Sequence, residues 1–85
     1  MNRDYIFITK KDGSIEKMEA VATFRLEESS KDCIIYKSLV NKKYYAASYD
    51  KNVGYSKLDT NFTEKEKKQL MIIFNELKLG GDLNA

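Results

Sequence analysis

The chain has 85 residues, of which 42% are hydrophobic and 33% charged, and its 15 basic and 13 acidic side chains give a formal net charge of +2. This length accommodates one small domain, residues 1–85, and the hydrophobic fraction is too high for a disordered chain. The near balance of charge excludes the strong basic field that dedicated nucleic-acid binders use.

Targeting signals and disulfides are not indicated by the sequence. The N-terminal segment lacks the pattern of a secretion signal, and no apolar run approaches the ~18 residues of a membrane-spanning helix. Cys33 is the single cysteine and cannot form an internal disulfide; its β-forming neighbours indicate a small buried hydrophobe. We therefore expect a cytoplasmic protein with no membrane contact.

Two predicted strands begin the chain and are joined by an Asp-Gly turn. Residues 5–8 are aromatic or β-branched without interruption, which indicates a strand covered on both faces or nearly so. Asp12-Gly13 lies between two apolar runs and predicts a hairpin with a type I′ turn. The second strand therefore returns alongside the first.

The second strand, residues 15–26, has a hydrophobic period of two. Its length predicts a bend or bulge near residues 20–22, where small side chains tolerate one. A helix over residues 16–22 is the competing interpretation. The alternation places five residues on one face: Met18, Ala20, Ala22, Phe24 and Leu26.

Further strands follow a polar loop. Residues 33–39 and 44–49 are rich in β-formers and predict a third and a fourth strand. Residues 55–58 predict a short fifth strand or an extended arm that leads into a helix.

Residues 61–81 carry the clearest pattern, that of an amphipathic helix. Thr63 followed by Glu66 predicts a capping box at the start of this helix, and Gly80-Gly81 predict its end after Leu79. Apolar residues recur at helical spacing and predict a stripe that packs on the sheet. The stripe consists of Leu70, Ile73, Phe74 and Leu77.

Strands followed by one amphipathic helix indicate an α+β fold. The predicted architecture is an antiparallel β-meander of four to five strands with one C-terminal amphipathic helix packed on one face. Three or more strands need such a cover to be stable alone. We expect the helix to pack against Phe24, Leu26 and the third strand.

No catalytic, cofactor or metal site is predicted. Histidine is absent, which removes the commonest general base and metal ligand, and one cysteine cannot supply a structural zinc site. Gly80-Gly81 follow a helix, whereas a phosphate-binding loop precedes one. We therefore predict a protein that is not an enzyme.

Tyrosines and lysines interleave in the second half of the predicted sheet, and the pattern has several interpretations. Tyrosine is a good strand residue whose ring packs while its hydroxyl stays hydrated. The same side chains on a sheet surface can stack bases and contact phosphates, or can form a protein-binding face. The pattern consists of Tyr36, Tyr44, Tyr45, Tyr49 and Tyr55 with Lys37, Lys42, Lys43, Lys51 and Lys57. The candidate partner-binding residues among them are Tyr44, Tyr45, Tyr49, Tyr55, Lys42 and Lys43.

Met71 and Ile72 lie beside the main helical stripe and widen the apolar arc of the helix. One interpretation is deeper burial between the sheet and the loops. The other is a patch for self-association or for a partner. Both residues therefore join the candidate partner-binding set.

Four segments follow one another in a recognisable order: Ile6 to Lys11 with Asp12-Gly13, Glu19 to Phe24, Cys33 to Tyr36 and Phe74 to Leu77. Taken together, over residues 5–79, they resemble a family of small uncharacterised bacterial proteins, the YrzB-like family. Members of this family are short cytoplasmic proteins of low-GC Gram-positive bacteria without an assigned activity. This chain differs in being slightly basic where the family tends to be acidic, and a phage or mobile-element protein of similar shape is the alternative.

Such small accessory proteins often bind and block a larger protein. We therefore expect a non-enzymatic, protein-binding or regulatory accessory module without a cofactor. The alternative is a weak single-stranded nucleic-acid binder that uses a Tyr/Lys sheet surface.

Overall fold

A computed structural model describes residues 4–84 of the chain. An antiparallel sheet and one helix confirm the α+β class predicted from the sequence, and residues 16–22 belong to a strand, not to a helix. The elements in chain order are β1 (Tyr5–Thr9), β2 (Ile15–Leu26), β3 (Lys31–Ser38), β4 (Tyr44–Asp50), β5 (Gly54–Asp59), α1 (Glu64–Glu76) and β6 (Leu83–Asn84).

The strands β1 to β5 form an antiparallel meander in sequence order. The outer strands β1 and β5 come close together, so the sheet curls towards a barrel. β6 pairs in parallel with β4, where Leu83 lies opposite Tyr44. The sequence did not predict β6, and α1 is therefore not the last element of the fold.

The curled sheet encloses one hydrophobic cluster, which we call the inner cluster. Its buried members are Ile6, Met18, Ile34, Tyr36 and Ala47. Because β1 and β5 approach each other around these side chains, the inner face of the sheet is filled.

A second cluster, the helix cluster, lies between the outer face of the sheet and α1. Leu70 and Phe74 of the helix pack there against Leu26, Cys33 and Ile35, as the amphipathic stripe predicted. Burial raises the pKa of the Cys33 thiol to about 11. Cys33 is thus the small buried hydrophobe expected from its neighbours, and its thiolate is disfavoured at neutral pH.

The predicted bulge in β2 is confirmed, and it changes which residues share a face. The register advances from Ala20 opposite Tyr36 to Ala22 opposite Ile35, so Val21 is the extra residue. Met18 and Ala20 consequently face the inner cluster, whereas Phe24 and Leu26 face the helix cluster. The prediction that these even-numbered residues share one face is therefore wrong.

The β1–β2 hairpin is also confirmed, but its turn type is not the predicted one. A type I′ turn needs a positive φ at two central residues, and only Gly13 has one here, at 86°. The Gly13 N–H donates to the Lys10 carbonyl, and the Asp12 carboxylate accepts from the Ser14 N–H and hydroxyl. This is a three-residue loop in which glycine occupies the left-handed position.

The helix begins as predicted and ends earlier than predicted. The Thr63 N–H donates to Glu66 Oε1 over 2.8 Å, and the Glu66 N–H donates to Thr63 Oγ1 over 3.1 Å, which completes the capping box. Leu77 is the C-cap, and Lys78 takes the left-handed conformation with φ of 52° in place of the expected glycines. The predicted last turn of the helix does not form. Leu77 is 37% exposed, although the stripe predicted it in the core.

Glu66 joins the start of the helix to β3. Its carboxylate accepts from the Thr63 N–H and lies 3.2 Å from Lys31 Nζ, which also donates to the Asn61 carbonyl. The hydrogen bond from the Thr63 backbone, followed by one from the Ser29 hydroxyl and the contact with Lys31, lowers the pKa of Glu66 to about 2. The ionised carboxylate is thus the form that the folded state favours.

We expect this low pKa to make the fold acid-sensitive in a defined range. A group whose pKa is lower in the folded state stabilises it fully above the unfolded value of 4.5, and this stabilisation disappears as the pH falls to about 2. In urea unfolding across this range, the free energy of unfolding of Glu66→Gln should fall less steeply than that of the wild type. Glu64→Gln, at an exposed carboxylate of the same helical turn, should retain the wild-type slope; equal slopes for all three proteins would contradict the assignment.

Candidate interaction surfaces

The predicted tyrosine surface is divided between the two faces of the sheet. Tyr45 stacks on Tyr36 with ring centroids 5.7 Å apart, and Tyr49 meets Tyr55 edge-on at 4.9 Å. These rings are half-buried or buried and pack with the inner cluster. Tyr45, Tyr49 and Tyr55 are therefore packing residues of the inner face, and they do not form one surface with Tyr44.

Tyr44 lies on the outer face, beside the end of α1. Its ring meets the edge of Phe74 with centroids 5.3 Å apart. The two candidate lysines that precede it, Lys42 and Lys43, lie exposed in the turn between β3 and β4. Lys42 has a positive φ of 63°, and the Lys43 N–H donates to the Asn41 side chain.

The outer face carries a row of residues that crosses four strands. Tyr5 pairs with Glu19, Glu19 with Lys37, and Lys37 with Tyr44. Directly opposite residues share a face, so the row continues from β1 to Tyr44 at the helix end. Phe7 and Lys17 form the next cross-strand pair of the same face.

We call Tyr5, Phe7, Lys17, Lys37 and Tyr44 the aromatic face. Phe7 is 60% and Tyr5 42% exposed, so the prediction that the first strand is covered on both faces is wrong. Helix α1 covers the neighbouring part of the sheet and leaves these two rings in solvent. Ile15, diagonal to Phe7 on β2, is also exposed.

Both lysines of the aromatic face lie over tyrosine rings. Lys17 Nζ is 4.3 Å from the centroid of Tyr5, and Lys37 Nζ is 5.4 Å from the centroid of Tyr44. Neither lysine forms an ion pair with a carboxylate of residues 4–84. Each ammonium group therefore rests against a ring and is not paired with a carboxylate of the described residues.

Four exposed apolar side chains lie on α1 or just after it, and we call this set the helix flank. It consists of Met71 and Ile72, which are 37% and 59% exposed, and of Leu77 and Leu79 beyond the last turn. Ile72 borders a groove of about 320 Å³ between the helix and the end of β2. The groove is lined by Arg25, Leu26, Glu27, Glu28, Gln69, Ile72 and Ile73.

Residues 4–84 contain no cluster of three or more acidic or cysteine side chains arranged to hold a metal ion. Within the same range, α1 is neither long nor apolar enough to cross a membrane.

The chain was compared with protein families, with curated proteins and with solved structures, and none of the three comparisons found a match.

The sequence left open whether Met71 and Ile72 are buried or exposed, and the structure shows both exposed. Of the aromatic face, the sequence singled out Tyr44 and Lys37 but not the residues of β1 and β2. Tyr5, Phe7, Lys17 and Lys37 come from three strands, and their proximity depends on the cross-strand register. The signal available in the sequence was the alternation along β1, in which Ile6 and Ile8 face inwards and Tyr5 and Phe7 outwards.

Proposed function

We propose that this chain is a non-enzymatic, cytoplasmic accessory protein that binds another protein through the helix flank. The observation that carries the proposal is the set of large apolar side chains that α1 leaves in solvent while Leu70 and Phe74 fill the core. Membership of the YrzB-like family is part of this proposal and is supported by the resemblance described above.

The groove beside the flank supports the proposal by its lining. Its apolar wall is formed by Leu26, Ile72 and Ile73, and its rim carries Arg25 and Glu28. Glu28 is held by Lys65, whose Nζ lies 2.7 Å from the carboxylate. An apolar centre with a polar rim is the usual arrangement at protein interfaces.

We propose a partner of different sequence as the occupant of this surface. A stable protein interface uses about 20 to 30 residues on each side. The helix flank and its groove supply far fewer, so the proposed interface is small and depends on an apolar anchor of the partner that enters the groove. Self-association is the competing outcome that the experiment has to distinguish.

The test compares proteins captured from a lysate of the source organism by immobilised wild-type chain and by two charge variants. Ile72→Lys places a charge at the groove, and Val53→Lys places one at an exposed apolar residue of the β4–β5 turn. We expect the free energy of unfolding of each variant to lie within ~0.5 kcal/mol of the wild-type value, because both sites are exposed. A protein retained by the wild type and by Val53→Lys but lost with Ile72→Lys would support the proposal.

Two results would overturn this assignment. The first is an identical set of captured proteins for both variants. The second is a concentration-dependent dimer in analytical ultracentrifugation that Ile72→Lys abolishes, since the flank would then bind a second copy.

A further inference from the structure

The aromatic face has a chemistry different from that of the helix flank, and it lies on the sheet. The exposed rings of Tyr5 and Phe7 lie beside Lys17, and Lys37 lies two strands from Tyr5 in the same row. Neither lysine has a carboxylate partner in residues 4–84. From this arrangement we infer that the chain binds single-stranded nucleic acid on the aromatic face. This function is separate from the proposed protein-binding function and does not depend on it.

The spacing of the rings suits successive unstacked bases. Tyr5 and Phe7 are two residues apart on β1, so they share a face at roughly 6.6 Å along the strand. Aromatic rings on a sheet surface stack on bases without regard to sequence, because every base has a π-face. Phe7 is the more exposed of the two rings and should contribute the larger share of the stacking energy.

The lysines lie where a phosphate backbone would pass. Lys17 is the direct cross-strand neighbour of Phe7, and Lys37 lies in the row that begins at Tyr5. Their ammonium groups rest over the rings of Tyr5 and Tyr44, so they occupy defined positions on the face. Single-stranded nucleic acid is complementary to this pattern, because it carries flat bases for the rings and regularly spaced negative phosphates for the lysines.

Two features keep the expected affinity low. Glu19 lies between Tyr5 and Lys37 in the same row and repels phosphate, and a net charge of +2 supplies little long-range attraction. We therefore expect a dissociation constant on the order of 100 µM at low salt, within the range of non-specific binding. A second copy of the chain is a poorer occupant, because it would bring like-charged lysines towards each other.

The experiment measures the fluorescence anisotropy of a labelled oligo(dT) of about ten nucleotides, a length within the usual site size. Two neutralised phosphates predict a log–log salt slope of about −1.4, so affinity should fall about sevenfold between about 50 and 200 mM salt. Phe7→Ala should weaken binding at least about fivefold, whereas Phe7→Tyr, which retains a ring, should bind like the wild type. Circular dichroism of both variants verifies that they are folded.

A pair of double variants separates a built site from simple charge attraction. Lys17→Gln with Lys37→Gln removes both cations of the aromatic face and should abolish most of the salt dependence. Lys57→Gln with Lys68→Gln removes the same charge from exposed residues of β5 and α1 and should have a much smaller effect. Oligo-glutamate of about ten residues supplies the negative charge without rings and should bind more weakly than oligo(dT).

The inference is overturned by any of three results. The wild type does not bind oligo(dT) at low salt; Phe7→Ala binds as tightly as Phe7→Tyr; or the two lysine pairs have equal effects. Equal binding of oligo-glutamate would instead identify the face as a site for acidic protein segments. None of these results affects the helix flank, because Ile72 lies outside the aromatic face.

Discussion

Replacing Phe74 by alanine is expected to lower the free energy of unfolding by about 3 to 5 kcal/mol. Phe74 is 2% exposed and packs in the helix cluster, with the edge of its ring against Tyr44. Its loss leaves a cavity between α1 and the sheet that the curled strands cannot close. Since small domains are stable by only about 5 to 15 kcal/mol, this substitution should bring the chain close to unfolding.

Urea unfolding followed by circular dichroism measures the effect, and Leu77 offers a control on the same helical stripe. The sequence predicts equal burial for Phe74 and Leu77, but Leu77 is 37% exposed. Leu77→Ala should therefore lower the free energy of unfolding by well under half as much as Phe74→Ala does. Similar losses for the two variants would mean that the helix continues through Leu77, as the sequence predicted.

Local patterns predicted the elements that depend on neighbouring residues. The capping box needs Thr63 and Glu66 only three residues apart, and the hairpin needs Gly13 between two adjacent strands. Each of these signals is formed by residues only a few positions apart, so it can be recognised in the sequence alone. The helix end and the type of the hairpin turn are the exceptions. Lys78 takes a left-handed conformation that is far more common for glycine, and in the hairpin turn only Gly13 has a positive φ.

The faces of the sheet were harder to predict because they depend on one bulge. Alternation in β2 is regular on both sides of Val21, and the sequence indicated a bulge nearby. A bulge adds one residue, and the residues on either side of it then face opposite ways from those expected of a regular strand. That single residue moves Met18 into the inner cluster and leaves Leu26 under the helix.

The candidate site could be predicted only in part for the same reason. Met71 and Ile72 are exposed because they lie beside the main stripe of one helix. Their place around the helix can be worked out from the sequence. Tyr44 and Tyr45 are adjacent in sequence and so point to opposite faces of β4, which a count of tyrosines along the chain does not reveal. Closure of the sheet then places Tyr45 inside, and the exposed rings turn out to be those of β1.

Leu83→Ala is the second substitution with a large expected effect, a loss of about 2 to 5 kcal/mol. Leu83 is 8% exposed and fills the helix cluster from β6, which pairs in parallel with β4. The Asn84 side chain donates to the Tyr44 carbonyl over 3.1 Å and holds this short strand against the sheet. Nothing in the sequence after Gly81 resembles a strand, so this prediction depends on the structure alone.

Leu79→Ala is the matched control, since it removes the same side chain four residues earlier. Leu79 is 38% exposed, and its truncation should cost about 1 kcal/mol or less. Urea unfolding of the two variants therefore tests whether residues 83–84 belong to the core. Equal losses at Leu79 and Leu83 would show that the chain beyond α1 does not pack on β4; a large loss at Leu83 alone would establish the parallel strand as part of the fold.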